Sequence, residues 1–244
     1  MAIKRFEQMG QWPKQLPTLT EEQARIREDF YAVWLDTLPK SYYGIIEKFN
    51  HGYPLRTFKP DANQRTLDIG AGLGEHTRYE DLGRQEYTAL ELREDLAARI
   101  RQNFPGAKTI VGDIQKHVDR EDGYFDRILA IHVLEHLPKL PDALGEIRRL
   151  LAPDGRFVVL IPCDPGLAYG IARNISARPL FEKRYHISYD WFIACEHINH
   201  HSEILEQLDQ YFDVVHRQFF PLYVPIPTMN LVIGLTLVQK AGAK

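Results

Sequence analysis

The chain has 244 residues, 44% of them hydrophobic and 26% charged, with a formal net charge of -3. That length suits one large α/β domain with its own core, and the slightly acidic balance gives no bulk attraction for nucleic acid. The opening "MAIKRFEQMGQWPKQ" lacks the apolar centre of a secretory signal, and the longest apolar stretches, 157–161 and 231–238, are too short to span a bilayer. Two cysteines, Cys163 and Cys195, make no disulfide framework, so a cytoplasmic, single-domain protein is expected.

Thr20-Glu-Glu-Gln reads as a capped helix start, followed at helical spacing by Ile26, Phe30, Val33, Trp34 and Leu38, with Pro39 as the stop. A second helix is predicted over 42–49. Gly52, Pro54 and Pro60 then mark 50–63 as a connecting loop. From Arg65 apolar runs alternate with amphipathic stretches. Strands are predicted over 66–69, 87–91, 108–111, 126–131 and 156–161, with helices around "LAARIR" (96–101) and "ALGEIRRLL" (143–151), and a turn at "APDG" (152–155). That alternation implies parallel strands covered by helices on both faces. A helix over 202–211 is followed by two strands, 213–219 and 231–238, with no helix between them, so that pair is expected to be antiparallel. The fold class is α/β: a Rossmann-like, doubly wound, mostly parallel seven-stranded sheet with an antiparallel C-terminal strand pair. An N-terminal helical cap (1–60), a core (61–163), an insert after the fifth strand (164–196) and a closing segment (197–244) divide the single domain.

Where the first strand ends, "TLDIGAGLGEHT" (66–77) sets Gly70, Gly72 and Gly74 at alternate positions. Dinucleotide sites want G-x-G-x-x-G at this turn, but here the spacing is G-x-G-x-G and Glu75 stands where the last glycine should be. A carboxylate is a poor neighbour for a pyrophosphate at a helix N-terminus. A nucleoside without phosphate, carrying a positive charge, suits the loop better, and S-adenosylmethionine is such a ligand. Glu91, ending the second strand in "TALELRED", is placed to accept hydrogen bonds from ribose hydroxyls, although dinucleotide enzymes use the same device. Asp113 in "TIVGDIQ" is placed to accept from an adenine amino group, with Ile114 packing on the ring.

The set "TLDIGAGLG", "TALEL", "VGDI", "FDRILAIHVLEHLP" and "LLAPDGRFVVLIP", strongest over 60–162, resembles the class I S-adenosylmethionine-dependent methyltransferases, most closely those acting on small molecules, lipids and sugars. The resemblance implies that Asp68, Gly70 and Gly72 surround the methionine portion of the cofactor. Glu91 and Leu92 would hold the ribose, Asp113 and Ile114 the adenine, and His132 would border the pocket between cofactor and acceptor.

Methyl transfer demands alignment of nucleophile, carbon and sulfur, and a hydroxyl acceptor also needs a base. His132 and His197 are the catalytic candidates. The stretch "CEHINHHS" holds Cys195, His197, His200 and His201, but its spacing fits no closed zinc site, so no metal is expected and a helix cap at Ser202 or a neighbour is the simpler reading. The insert carries Arg173, Arg178, Lys183 and Arg184 among aromatic residues. This suggests an anionic, partly apolar or sugar-bearing small-molecule acceptor, bound by Arg178, Arg184 and Tyr185, with Tyr42 and Tyr43 closing the other side. The 167–175 stretch allows peripheral contact with a membrane surface without insertion. The sequence gives no oligomeric state. Two further readings are a non-catalytic cofactor-binding scaffold and a nicotinamide-dependent oxidoreductase; the loop spacing and the absence of a Tyr-x-x-x-Lys pair argue against the second. The absence of an Asn/Asp-Pro-Pro-Tyr-type motif after the fourth strand argues against methylation of nucleic-acid bases.

Overall fold

The computed structural model describes residues 8–37, 43–58 and 61–242. The expectations at Leu38, Pro39 and Tyr42, and at the side chains of Trp34 and Tyr43, lie outside the described residues.

Helix α1 (Glu21–Thr37) starts where the sequence predicts. Thr20 Oγ1 accepts from the Gln23 amide at 3.2 Å, and Gln23 Oε1 accepts from the Thr20 amide at 3.0 Å, a reciprocal cap of the first turn. Helix α2 (Tyr43–Thr57) corrects the loop expectation for 50–63, because it runs through Gly52 and Pro54 to Thr57. Packing overrides the local breakers. Phe49 and Tyr53 are buried against Leu129, Val158 and Leu160 of the sheet, and the Tyr53 hydroxyl lies 2.9 Å from His216 Nδ1.

The seven strands are β1 (Arg65–Ile69), β2 (Glu86–Glu91), β3 (Lys108–Val111), β4 (Phe125–Ile131), β5 (Leu151–Pro162), β6 (Phe212–Phe220) and β7 (Val232–Gln239). Their order is β3-β2-β1-β4-β5-β7-β6. The first five pair in parallel, and β7 lies antiparallel between β5 and β6. The turn expected at 152–155 falls inside the bounds of β5, as an interruption of its pairing with β4. Leu151 pairs with Phe125 and Arg156 with Arg127, so Ala152 to Gly155 stand opposite Asp126 alone.

Ile128–Ala130 of β4 and Phe157–Ile161 of β5 are buried on both faces, which is why they read as unbroken apolar runs, whereas β1 buries the polar Thr66 and Asp68 beside Leu67 and Ile69. Helix α3 (Glu94–Asn103) packs Leu96, Ala97 and Ile100 inward. Helix α4 (Leu140–Leu150) buries Leu140, Ala143, Leu144, Ile147 and Leu150 in the main core, one stripe at helical period.

The insert folds as three helices, α5 (Leu167–Ile175), α6 (Ala177–Tyr185) and α7 (Asp190–Glu196). Helices α6 and α7, with Tyr189 between them, build a second core around Phe30 of α1, to which α5 contributes no buried residue. Phe30 meets Phe181 at 4.9 Å and 84° and Phe192 at 5.1 Å and 87°, both edge to face. The N-terminal helix and the insert therefore form one cap. Helix α8 (His201–Tyr211) closes the fold before β6. Strand order reverses between β1 and β4, and in open α/β sheets ligands bind at the carboxyl ends of the strands beside such a switch.

Candidate active site

The glycine loop leaves β1 at that switch. Gly70 and Gly72 have φ of +64° and +59°, a region side chains rarely adopt, and a Cβ on Gly70 would fall 2.8 Å from Val133 Cγ2. The loop is tied to the end of β2. Gly70 N donates to Leu90 O at 2.8 Å, and Gly72 N donates to Glu91 Oε2 at 2.9 Å. The other Glu91 oxygen accepts from Arg93 N at 3.0 Å. Glu91 thus fixes the loop, and each of its oxygens keeps a lone pair for a further donor. Leu92 is exposed, Asp113 is half-buried with Oδ1 accepting from Gln115 N at 3.0 Å, and Ile114 is buried in the main core. These residues sit at the ends of the paired strands β2 and β3, outside the lining of the cavity beside the loop.

Beside the loop lies a cavity of about 340 Å3, in the range of small-molecule sites. Asp68, Gly70, Ala71 and Gly72 line it from the β1 end. Helix α2 contributes Ile46, Glu47, Asn50 and His51. The cap contributes Phe30, Tyr169, Ala172, Arg173, Tyr189 and Phe192. Carboxylic side chains dominate its charge: Glu47, Asp68, Glu75, Glu135 and Glu196 line it, against one guanidinium among the described residues, that of Arg173. Asp68 is buried and accepts from the Tyr87 hydroxyl at 2.7 Å, and burial pushes its carboxyl up to about 6 despite nearby His76 and that hydrogen bond. Burial also raises the Glu75 carboxyl, which accepts from the Leu73 amide at 3.0 Å.

Strand β4 delivers the histidines. His132 has φ of +54°, and its Nδ1 lies 3.3 Å from Glu135 Oε1 while its Nε2 lies 2.9 Å from the Asn50 amide nitrogen. Glu135 is buried, and its backbone carbonyl accepts from the amides of Ile198 and Asn199, locking the turn after β4 to the end of α7. Burial alone would raise its carboxyl, but the hydrogen bond from His132 and the neighbouring imidazoles outweigh it and hold it below the usual range. His197 Nδ1 lies 3.0 Å from Asp164 Oδ2, and burial lowers the imidazole against the opposing pull of that carboxylate. His136 Nδ1 donates to Glu196 O at 2.7 Å, and the His136 and His197 ring centroids are 5.4 Å apart.

The rest of the histidine-rich stretch serves structure. His200, rather than Ser202, is the N-cap of α8, in a capping box with Glu203. The His201 amide donates to Asp164 O at 3.1 Å. Cys163 and Cys195 are free and buried, and burial pushes the Cys163 thiol up to about 12.

The basic residues expected to grip the acceptor do not face the cavity. Arg178 pairs with Glu182 and Asp190, and both Arg184 and the Tyr185 hydroxyl bond Asp29 of α1. They join the outer faces of the cap, because each has an acidic partner one helix turn or one helix away. The anionic-acceptor expectation loses those contacts. Sequence reasoning missed Asn50 and His51, placed in a loop that is helical, and also Glu135 and Asp164. The Glu-His pair within "HVLEHLP" was the available signal for Glu135.

Residues 67–159 match a family described as a methyltransferase domain. A probable phthiotriol/phenolphthiotriol dimycocerosates methyltransferase 2 of Mycobacterium ulcerans is 31% identical over 108 residues, 42% of this chain and 42% of that protein. A malonyl-[acyl-carrier protein] O-methyltransferase of Pectobacterium atrosepticum is 30% identical over 104 residues, 43% of this chain and 41% of that protein. The chain spans about two fifths of the length of these curated relatives. Among solved structures, a Burkholderia thailandensis 1,6-didemethyltoxoflavin-N1-methyltransferase, with bound 1,6-didemethyltoxoflavin and S-adenosylhomocysteine, aligns with a TM-score of 0.58 and 21% identity over 93% of each chain.

Proposed function

We propose that this chain, whose residues 67–159 match a methyltransferase domain, is a class I S-adenosylmethionine-dependent methyltransferase that methylates a small, largely apolar acceptor held under the cap. The observation that carries this reading is the charge of the cavity. Five carboxylic side chains beside a left-handed glycine loop suit a cationic nucleoside and repel a dinucleotide pyrophosphate. When bound, S-adenosylmethionine supplies an electrophilic sulfonium methyl. Asp68 and the Gly70–Gly72 backbone would hold its amino-acid end, Glu91 and Leu92 the ribose, and Asp113 and Ile114 the adenine edge. Phe30, Tyr189 and Phe192 would enclose the acceptor and exclude water. Asp164 on Nδ1 leaves the Nε2 lone pair of His197 for the acceptor's proton, and His132, held by Glu135 on Nδ1, would take it on Nε2 once the acceptor displaces the Asn50 amide from that nitrogen. By their own names the relatives act on oxygen, carbon and nitrogen, so the choice of an oxygen acceptor rests on the imidazoles, which a hydroxyl needs as a base.

The test is release of S-adenosylhomocysteine in a screen of aromatic alcohols, hydroxylated lipids and phosphorylated sugars. The reading expects turnover with an apolar hydroxyl compound, at least about 100-fold slower in His132→Ala. Turnover confined to phosphorylated sugars would contradict the acceptor class. A scaffold that only binds the cofactor would show no turnover with any acceptor.

A further inference from the structure

Three potential metal-binding atoms converge on the cavity. A carboxylate oxygen of Glu135 and one ring nitrogen each of His136 and His197 all lie within 4.8 Å of one another. Their surroundings already define which atoms face inward. His136 Nδ1 sits 2.7 Å from Glu196 O, and since a carbonyl only accepts, Nδ1 carries the hydrogen and Nε2 the lone pair. His197 Nδ1 sits 3.0 Å from Asp164 Oδ2, and Arg173 Nη1, 3.2 Å from Asp164 Oδ1, supports the charge on that carboxylate. The lone pair of His197 therefore also falls on Nε2. Metal-ligating imidazoles are held in this way, with one nitrogen donating to a carbonyl or carboxylate and the other left for the ion.

Glu135 supplies an independent observation. It is 1% exposed, and its Oε2 is buried with no hydrogen-bond partner among the described residues. A buried carboxylate oxygen without a donor is costly, and a cation would satisfy it.

We propose that Glu135, His136 and His197 bind one divalent transition-metal ion of the Zn2+ or Mn2+ kind in the acceptor cavity. Two imidazoles and a carboxylate are nitrogen and oxygen ligands of intermediate softness, suited to these ions. Bonds of about 2.0–2.2 Å require the three atoms to draw together by roughly an ångström from their outer limit of 4.8 Å. Three protein ligands leave positions open toward the cavity, where an acceptor hydroxyl would become more acidic. The ion's use in catalysis rests on the methyltransferase reading; its binding does not. His197 then serves as a ligand, and His132 is left to take the proton. The site reverses the metal-free expectation drawn from "CEHINHHS", because two ligands come from the turn after β4, far away in sequence.

The test uses the full chain stripped with a chelator and titrated with Zn2+ by calorimetry and with Co2+ by visible absorption. The same preparation is titrated with S-adenosylmethionine. One ion per chain is expected, with a dissociation constant on the order of 1 µM or tighter. His136→Gln and His197→Gln should each weaken it on the order of 100-fold, and Cys195→Ser should not. Anomalous diffraction from a Zn2+-soaked wild-type crystal should place the ion among the three side chains, whether or not the variants fold. No saturable binding up to about 100 µM, unchanged affinity in both histidine variants, or an ion seated elsewhere would overturn the site. Cofactor binding without metal binding removes the ion alone. Metal binding without cofactor binding keeps the site and removes the methyltransferase reading.

Discussion

Replacing Asp68 by Asn should make the free protein more stable while weakening its hold on the cofactor. The Asp68 carboxyl is buried and raised from 3.8 to about 6. Between those values the folded state binds more protons than the unfolded state, so stability falls as pH rises through the window, and the full cost is present above about 6. A shift of that size corresponds to about 3 kcal/mol at pH 8 and roughly half that at pH 5. Asn keeps an oxygen to accept from the Tyr87 hydroxyl but carries no charge to desolvate. For a chain of this length the gain translates into a Tm higher by roughly 6–12 °C at pH 8. The assay is thermal unfolding of both ligand-free proteins at pH 5 and pH 8, with cofactor titration alongside. A variant no more stable than wild type at pH 8, or a gap that does not shrink at pH 5, would refute the reasoning. Weaker cofactor binding in the more stable protein would show that the strained charge is kept for the ligand's ammonium group.

His51 gives the opposite sign. Burial, with His76, His132 and Arg78 nearby, depresses it from 6.5 to about 3, so stability is lost as pH falls below 6.5. His51→Asn should therefore recover about 2 kcal/mol relative to wild type between pH 7 and pH 5, read from urea midpoints; an unchanged difference would contradict this. Glu91→Ala should weaken S-adenosylmethionine binding and also lower stability by about 1–3 kcal/mol, since the Gly72 amide loses its acceptor. Retained affinity would remove Glu91 from the site. Lys14→Met should cost about 3–5 kcal/mol in chemical denaturation, because it leaves buried Glu203, which also receives the Gly10 amide, without its cation. A neutral result would mean that the N-terminal segment does not hold the first turn of α8.

The sheet was legible because its strands obey simple rules. Strand β1 announced itself by Leu67 and Ile69 just ahead of the glycines, and β4 and β5 by the apolar runs Ile128–Ile131 and Phe157–Ile161. The absence of a crossover helix correctly marked β6 and β7 as an antiparallel pair, but its place in the sheet was not legible: β7 inserts between β5 and β6, and no local pattern records which edge a returning strand finds. The continuation of α2 past Pro54 was hidden for a related reason. The burial of Tyr53 against distant strands decides it, and that contact is absent from the local sequence. The positions of the glycine loop and of Glu91 in the fold were readable because a backbone turn and a strand end fix them. The insert's arginines misled, because charge composition does not reveal that Asp29 and Asp190 already pair with them. Asp164 and Glu135 gain their roles only when α7 folds back onto the turn after β4.

The most direct test of the central claim is calorimetric titration of the purified chain with S-adenosylmethionine, S-adenosylhomocysteine and NAD. Micromolar binding of the first two, with none of NAD, is the predicted result. Binding of NAD in preference to both would contradict the account of the acid-lined cavity beside the glycine loop.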